Sequence, residues 1–129
     1  LLADESEEKG NHEGLGLIPG RIRNIPAEHG SRVPHVGWNR VSPQNDSSHY
    51  PRQNDYFYFD HGYHFECSTK FLSGVYHYPS TMTASVCWKH VAGTQFHPEK
   101  SGKAGLLFLR RFMESSEIKT IDGGLSHYA

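Results

Sequence analysis

Apolar and polar positions alternate through the first two thirds of the chain, then switch near its end to a spacing of three and four. That order predicts strands followed by one helix. Residues 21–25 alternate charged and apolar side chains as a half-exposed strand does. Residues 56–59 read Tyr-Phe-Tyr-Phe, an aromatic strand core that runs on through residues 60–67. In residues 81–91, Ala84, Val86, Trp88 and Val91 recur at alternate or near-alternate positions, which predicts another strand. A turn at Ala92 and Gly93 then leads to a last strand over 94–96, closing a hairpin. From Gly102 to Ser115 the pattern is helical: Ser101 is a suitable N-cap, and Leu106, Leu109 and Met113, with Phe112 beside them, share one face.

Between these elements the chain is rich in turn formers. Residues 11–20 are a Gly-rich loop with a short apolar run, and residues 26–33 are polar loop. Residues 33–39, Val-Pro-His-Val-Gly-Trp-Asn, predict a strand end or a shaped loop, and residues 41–55 an exposed, mobile polar connection. The opening Leu1-Leu2-Ala3, followed by acidic residues up to Gly10, predicts the last apolar turn of a helix stopping at Gly10. A helix ending that close to residue 1 implies a piece of a longer protein.

Composition narrows the function only slightly. The 129 residues fit one domain, 36% are hydrophobic, and the net charge of −1 favours neither nucleic acid nor an anionic membrane. Cys67 and Cys87 lie twenty residues apart, neither a disulfide framework nor a zinc spacing, and read as buried thiols of a cytoplasmic protein. No apolar run reaches membrane-spanning length, and the acidic start is unlike a secretory signal. The spacing His61-x-x-His64 with Cys67 invites a metal reading. In an extended strand, however, residues i and i+3 point to opposite faces, so no metal is expected.

The strongest chemical signal is Gln95-Phe96-His97-Pro98-Glu99-Lys100-Ser101. A His at the C-terminal end of a strand faces the crevice where α/β folds bind ligands. A Glu two residues later can turn back onto the imidazole, fix its tautomer and stabilise the imidazolium formed when the ring takes a thiol proton. Pro98 supplies the rigid bend between them. A bare His-x-Glu would as readily be a structural pair.

The whole stretch 93–102, GTQFHPEKSG, resembles the triad motif of the class I glutamine amidotransferases, and most of all the glutaminase subunits of imidazole glycerol phosphate synthase. SEE at 6–8, GLGLIPG at 14–20, VPHVGWN at 33–39 and YFYFDHGY at 56–63 resemble the same branch in order and spacing, so the resemblance covers nearly the whole chain. It implies an α/β fold, part of a three-layer flavodoxin-like sandwich, with residues 1–129 the C-terminal part of a single amidotransferase domain whose N-terminal part is absent. It implies His97 as general base and later acid, and Glu99 as its orienter. The cysteine nucleophile and the oxyanion-hole glycines belong to the absent half, and neither Cys67 nor Cys87 sits in a nucleophile elbow. Glu8 matches a position that contacts the amino group of glutamine. Gly62 and Tyr63 match the segment that holds its carboxylate through the backbone; His61 keeps its place, but Gly62 stands where the family usually has Ser or Thr. Trp38, Tyr58 and Lys100, flanked by His35 and Asn39, match positions at the interface with a cyclase subunit, a (β/α)8 barrel that uses the ammonia. No cofactor is implied.

Two other readings compete. A sister branch supplies ammonia to surface-sugar biosynthesis, and GYHF at 62–65 and GTQ at 93–95 lean toward it. A non-enzymatic reading makes the chain a catalytically incomplete piece that only binds a partner.

Overall fold

The aromatic run at 56–59 forms the middle of the strand around which the molecule is built. In the computed structural model, which describes residues 3–6, 12–26, 32–45, 51, 53–89 and 91–114, strand β5 spans Asp55–His61. Numbered in chain order, the strands before it are β1 (Glu5–Ser6), β2 (His12–Glu13), β3 (Gly20–Asn24) and β4 (His35–Pro43). After it come β6 (Tyr63–Cys67), β7 (Leu72–His77), β8 (Thr81–Trp88), β9 (Val91–Thr94) and the helix α1 (Gly102–Glu114). Short 3₁₀ turns occupy Thr69–Phe71 and Pro98–Lys100. The architecture is mixed α/β and strand-rich. A five-stranded antiparallel sheet has the order β5-β4-β7-β8-β9, and a four-stranded sheet the order β2-β1-β3-β6, in which only β1 and β3 run parallel.

Alternation along β5 decides how the larger sheet packs. Phe57 and Phe59 are buried while Tyr56 and Asp60 are exposed. The buried face meets Phe108 and Phe112 of α1 in a cluster completed by Val41, Tyr76, Met82 and Phe96. Phe57 and Phe96 lie 4.2 Å apart between ring centroids, and Phe96 and Phe108 stand edge to face at 5.3 Å. Each such ring contributes on the order of 2–3 kcal/mol by leaving water. A second cluster, Ala3, Ile18, Phe65, Phe71, Val86 and Val91, joins the two sheets, and Ala3, Phe65 and Val86 of it line a cavity of about 50 Å³.

Several expectations change. Residues 5 and 6 are strand, not helix: Glu5 pairs with Arg21 in register, and its carboxylate takes two hydrogen bonds from the guanidinium at 3.0 and 3.1 Å. Tertiary pairing overrides the helical look of the acidic run; Leu1, Leu2 and Gly10 lie outside the described residues. Residues 35–43 are a nine-residue strand paired with β5 from His35↔His61 to Val41↔Asp55, and Val41 is fully buried rather than part of an exposed connection. The last hairpin turns between Trp88 and Val91, where Lys89 takes φ 56°, so Ala92 and Gly93 lie inside β9 and are buried. On α1 the buried face is Gly105, Phe108 and Phe112, whereas Leu106 and Met113 are 61% and 53% exposed. The rings at i and i+4 reach the aromatic core, and that outweighs the leucine stripe. Among the described residues no helix is long and apolar enough to cross a membrane.

Candidate active site

Beyond β9 the chain stays attached to β8 through the Gln95 N–H to Ala84 C=O bond (2.8 Å), and buried Phe96 anchors it in the core. His97 then leaves the sheet while still tied to β5: its N–H donates to the Tyr58 carbonyl at 2.9 Å, an isolated antiparallel bridge. Pro98 opens the 3₁₀ turn, and that tight turn brings Glu99 back to the edge of the ring. His97 Nδ1 and Glu99 Oε1 are 2.7 Å apart. The carboxylate accepts from Nδ1–H, which leaves Nε2 as the nitrogen able to take a proton. The two side chains are 37% and 58% exposed, so the pair adds little to stability and its value is orientation.

Ser101 departs from the expected capping role. Its hydroxyl accepts the Tyr58 N–H at 2.9 Å and donates to the His97 carbonyl at 2.6 Å. The Lys100 N–H donates to the same carbonyl at 3.1 Å. No sequence signal distinguishes this use of Ser101 from an ordinary cap.

Trp38 and Tyr58 are direct cross-strand partners, with rings edge to face at 6.0 Å. Paired residues of an antiparallel sheet project to one face, so Trp38, Tyr58 and bridged His97 share a face. Trp38 is 56% exposed there, beside exposed Val36 and Tyr56. Lys100 follows in the turn and is exposed. His35 and Asn39 belong to the other face of β4. His35 is buried, stacked on Phe59 at 5.3 Å and met edge-on by Tyr78 at 3.9 Å, and Asn39 Nδ2 lies 3.3 Å from its Nε2 and donates to the His77 carbonyl. Among the five residues expected at the interface, the structure groups Trp38 and Tyr58 with His97 and sets His35 and Asn39 apart.

Gly62 and Tyr63 form the β5–β6 junction. The Gly62 carbonyl accepts the Ile25 N–H at 3.0 Å, and His61 Nδ1–H donates to the Tyr63 carbonyl at 2.7 Å. His61 thereby shapes the segment, a role its sequence position alone does not reveal. Burial holds its imidazole down to about 4, with the nearby His35 and His64 adding to the shift. Between that value and the ordinary 6.5, the unfolded chain binds the proton and the folded one does not. Stability therefore falls as pH drops from about 6.5 toward 4, by on the order of 3 kcal/mol for this group. Urea melts at pH 7.5 and 5 should show the loss, and His61→Asn should flatten it; an equally steep fall in that variant would refute the assignment.

Glu8 lies outside the described residues. Cys67 is on β6 in the four-stranded sheet, where burial pushes its thiol up to about 11, the reverse of what a nucleophile needs. Cys87, on β8, is half-buried. His64 sits 3.7 Å from Glu66, while His61 turns to Tyr63. Among the described residues no three such side chains converge on a metal position.

No family model matches the chain. Over 115 residues it is 44% identical to the imidazole glycerol phosphate synthase subunit HisH of Methanothermobacter thermautotrophicus, a match covering 88% of this chain and 57% of that subunit. The subunit HisH 2 of Vibrio vulnificus is 38% identical over 129 residues, 98% of this chain and 59% of that one. The chloroplastic imidazole glycerol phosphate synthase hisHF of Arabidopsis thaliana is 41% identical over 117 residues, covering 88% of this chain and 20% of that protein. The chain thus spans less than three fifths of the length of the subunits it matches.

Proposed function

The chain belongs to the HisH-like glutamine amidotransferases, and from that premise we propose that its protein hydrolyses glutamine to glutamate and passes the ammonia to a cyclase partner in imidazole glycerol phosphate synthesis. The observation that carries the reading is the His97–Glu99 contact of 2.7 Å, three residues past the end of β9 and on the face shared with Trp38 and Tyr58. The relatives are imidazole glycerol phosphate synthase proteins, which favours histidine biosynthesis over the surface-sugar branch. In this reading residues 1–129 are the C-terminal part of one three-layer domain, and the cysteine nucleophile lies outside them. In this reading the protein works in the cytoplasm, where its thiols stay reduced.

The proposed chemistry uses the free Nε2 that the Glu99 contact leaves on His97. A cysteine thiol loses its proton to His97 Nε2, and the thiolate attacks the side-chain amide of glutamine. Glu99 steadies the imidazolium, which then gives its proton to the leaving ammonia and leaves a glutamyl thioester. Water activated by the same ring completes hydrolysis. Glu8 holds the substrate amino group, and the backbone of Gly62 and Tyr63 its carboxylate. Glutamate release and ammonia incorporation by the full-length subunit with its cyclase test the reading directly; a complex that forms yet consumes no glutamine would overturn it.

Two further outcomes are expected. Trp38→Ala should leave the fold intact, because the ring is largely exposed, but weaken binding of the (β/α)8 cyclase by about 2 kcal/mol or uncouple glutamine use from ammonia use. Unchanged affinity and coupling in that variant would remove Trp38 from the interface, and Tyr58 and Lys100 are open to the same assay. Gly62→Ser should be tolerated, since an added Cβ meets only Val33 and Pro34 at 3.8 and 3.9 Å. The hydroxyl should lower KM for glutamine; a raised KM would show that Gly62 is adapted to its own mode of binding.

A further inference from the structure

The main-chain hydrogen bonds around His97 close on themselves. The Tyr58 N–H donates to Ser101 Oγ at 2.9 Å, the Ser101 hydroxyl donates to the His97 carbonyl at 2.6 Å, and the His97 N–H donates to the Tyr58 carbonyl at 2.9 Å. Both polar main-chain groups of His97 are thus tied down, one to β5 and the other through a side chain to the same residue of β5. The ring of bonds requires a group that accepts and donates at once, which a hydroxyl does and a methyl cannot. Ser101 is only 2% exposed, so water does not substitute for it readily.

Ser101 also gives up something to do this. A serine before a helix ordinarily caps the free N–H groups of the first turn. Here its hydroxyl points back to the strand, and its carbonyl alone serves α1 by accepting the Gly105 N–H at 3.2 Å. Helix formation does not ask for that choice; holding the strand-to-helix corner does.

We propose that Ser101 is a positioning residue for His97, fixing the main chain from which the imidazole projects while Glu99 fixes the plane of the ring. The proposal rests on the reading of His97 as the general base. Ser101 is buried beneath the corner and takes no part in holding glutamine, so its effect falls on turnover and not on substrate affinity. Acid–base transfer depends on placement, and displacement by about 1 Å costs on the order of a hundredfold in rate.

The test uses the full-length glutaminase assembled with its cyclase. Ser101→Ala should lower kcat for glutamine hydrolysis by ~10²-fold with KM little changed. Ser101→Cys, which leaves no cavity but donates weakly, should resemble Ala, separating the hydrogen bonds from cavity effects. In ¹⁵N-histidine spectra, with the His97 signals assigned by their loss in His97→Ala, the wild-type ring should be a single Nδ1–H tautomer and both Ser101 variants a mixture. Wild-type kcat in Ser101→Ala, a loss confined to KM, or an unchanged tautomer would overturn the proposal. Failure of both variants to fold would also overturn it, because Ser101 would then be a folding residue. If His97→Ala keeps full activity, the catalytic reading falls and this inference with it. If His97→Ala is inactive while Ser101→Ala is normal, this inference alone falls.

Discussion

His97→Ala should lower glutamate release by the full-length glutaminase and its cyclase by at least ~10³-fold, and the 129-residue chain alone should release none. A positioned general acid–base group is worth about 10²–10⁴ in rate. In the proposed mechanism His97 serves twice, activating the thiol and then protonating the leaving ammonia, and groups that act as a unit are lost together. Among the described residues the rings of His61 and His35 are engaged elsewhere: His61 donates to the Tyr63 carbonyl, and His35 is packed between Phe59 and Tyr78 on the other face of β4. The 129 residues alone should lose even more than that variant does. The base and its orienter are present, but the nucleophile and the oxyanion donors of the proposed mechanism are not, and those are the largest contributions. Cys67 is no substitute, because its thiol is pushed up to about 11 and sits in the other sheet. Glutamate release by the chain, the full-length subunit and its His97→Ala variant decides the matter. Turnover by the chain alone, or an unaffected variant, would show that the triad assignment is wrong.

What the sequence makes legible here is local. The His97–Glu99 contact depends on three residues and a proline-led turn, so its spacing is visible in the chain itself. The aromatic strand at 56–59 and the strand from Thr81 are legible for a similar reason, since alternation records a face turned to the core. What escapes is set by partners distant in sequence. Residues 5 and 6 become a strand because Arg21 and Ile22 pair with them. Residues 35–39 resemble a loop, with a proline, a glycine and a tryptophan, until β5 is seen paired along their whole length. Residues 72–77 carry no clear period, and their pairing with β8 is interrupted by register shifts between Leu72, Gly74 and Val75. On α1 two stripes compete, and only the position of Phe57 and Phe96 decides that Phe108 and Phe112 turn inward. Within the site, resemblance brought Trp38, Tyr58 and His97 into one reading, and strand register puts them on one face. The same register separates His35 and Asn39 from them, a division that no spacing in the chain announces.

Gly105→Ala should destabilise the subunit by about 2–3 kcal/mol and lower activity beyond what that loss alone would cause. In an exposed helix the same change stabilises by about 1 kcal/mol, so the sign depends on what the new methyl meets. At Gly105 it would overlap the Pro98 carbonyl oxygen outright and come within 2.8 Å of the carbonyl carbon and 2.9 Å of Ser101 Cβ. These are backbone and a buried side chain, not the flexible tip of a surface residue, and overpacking of this kind costs about 1–3 kcal/mol or more. Relief is available in two directions. Either α1 lifts off the sheet and loosens Phe108 and Phe112, or the Pro98–Lys100 turn moves and carries His97 and Glu99 with it. The first costs stability, the second turnover. Gly102→Ala is the control: Gly102 has φ 58° and nothing within 4 Å of an added Cβ, so only backbone strain of about 1–2 kcal/mol applies. Urea unfolding and kcat for both variants, measured well below their melting temperatures, separate the effects. A Gly105→Ala protein as stable and as active as wild type would mean that α1 does not approach the catalytic corner as closely as the Gly105–Pro98 packing requires.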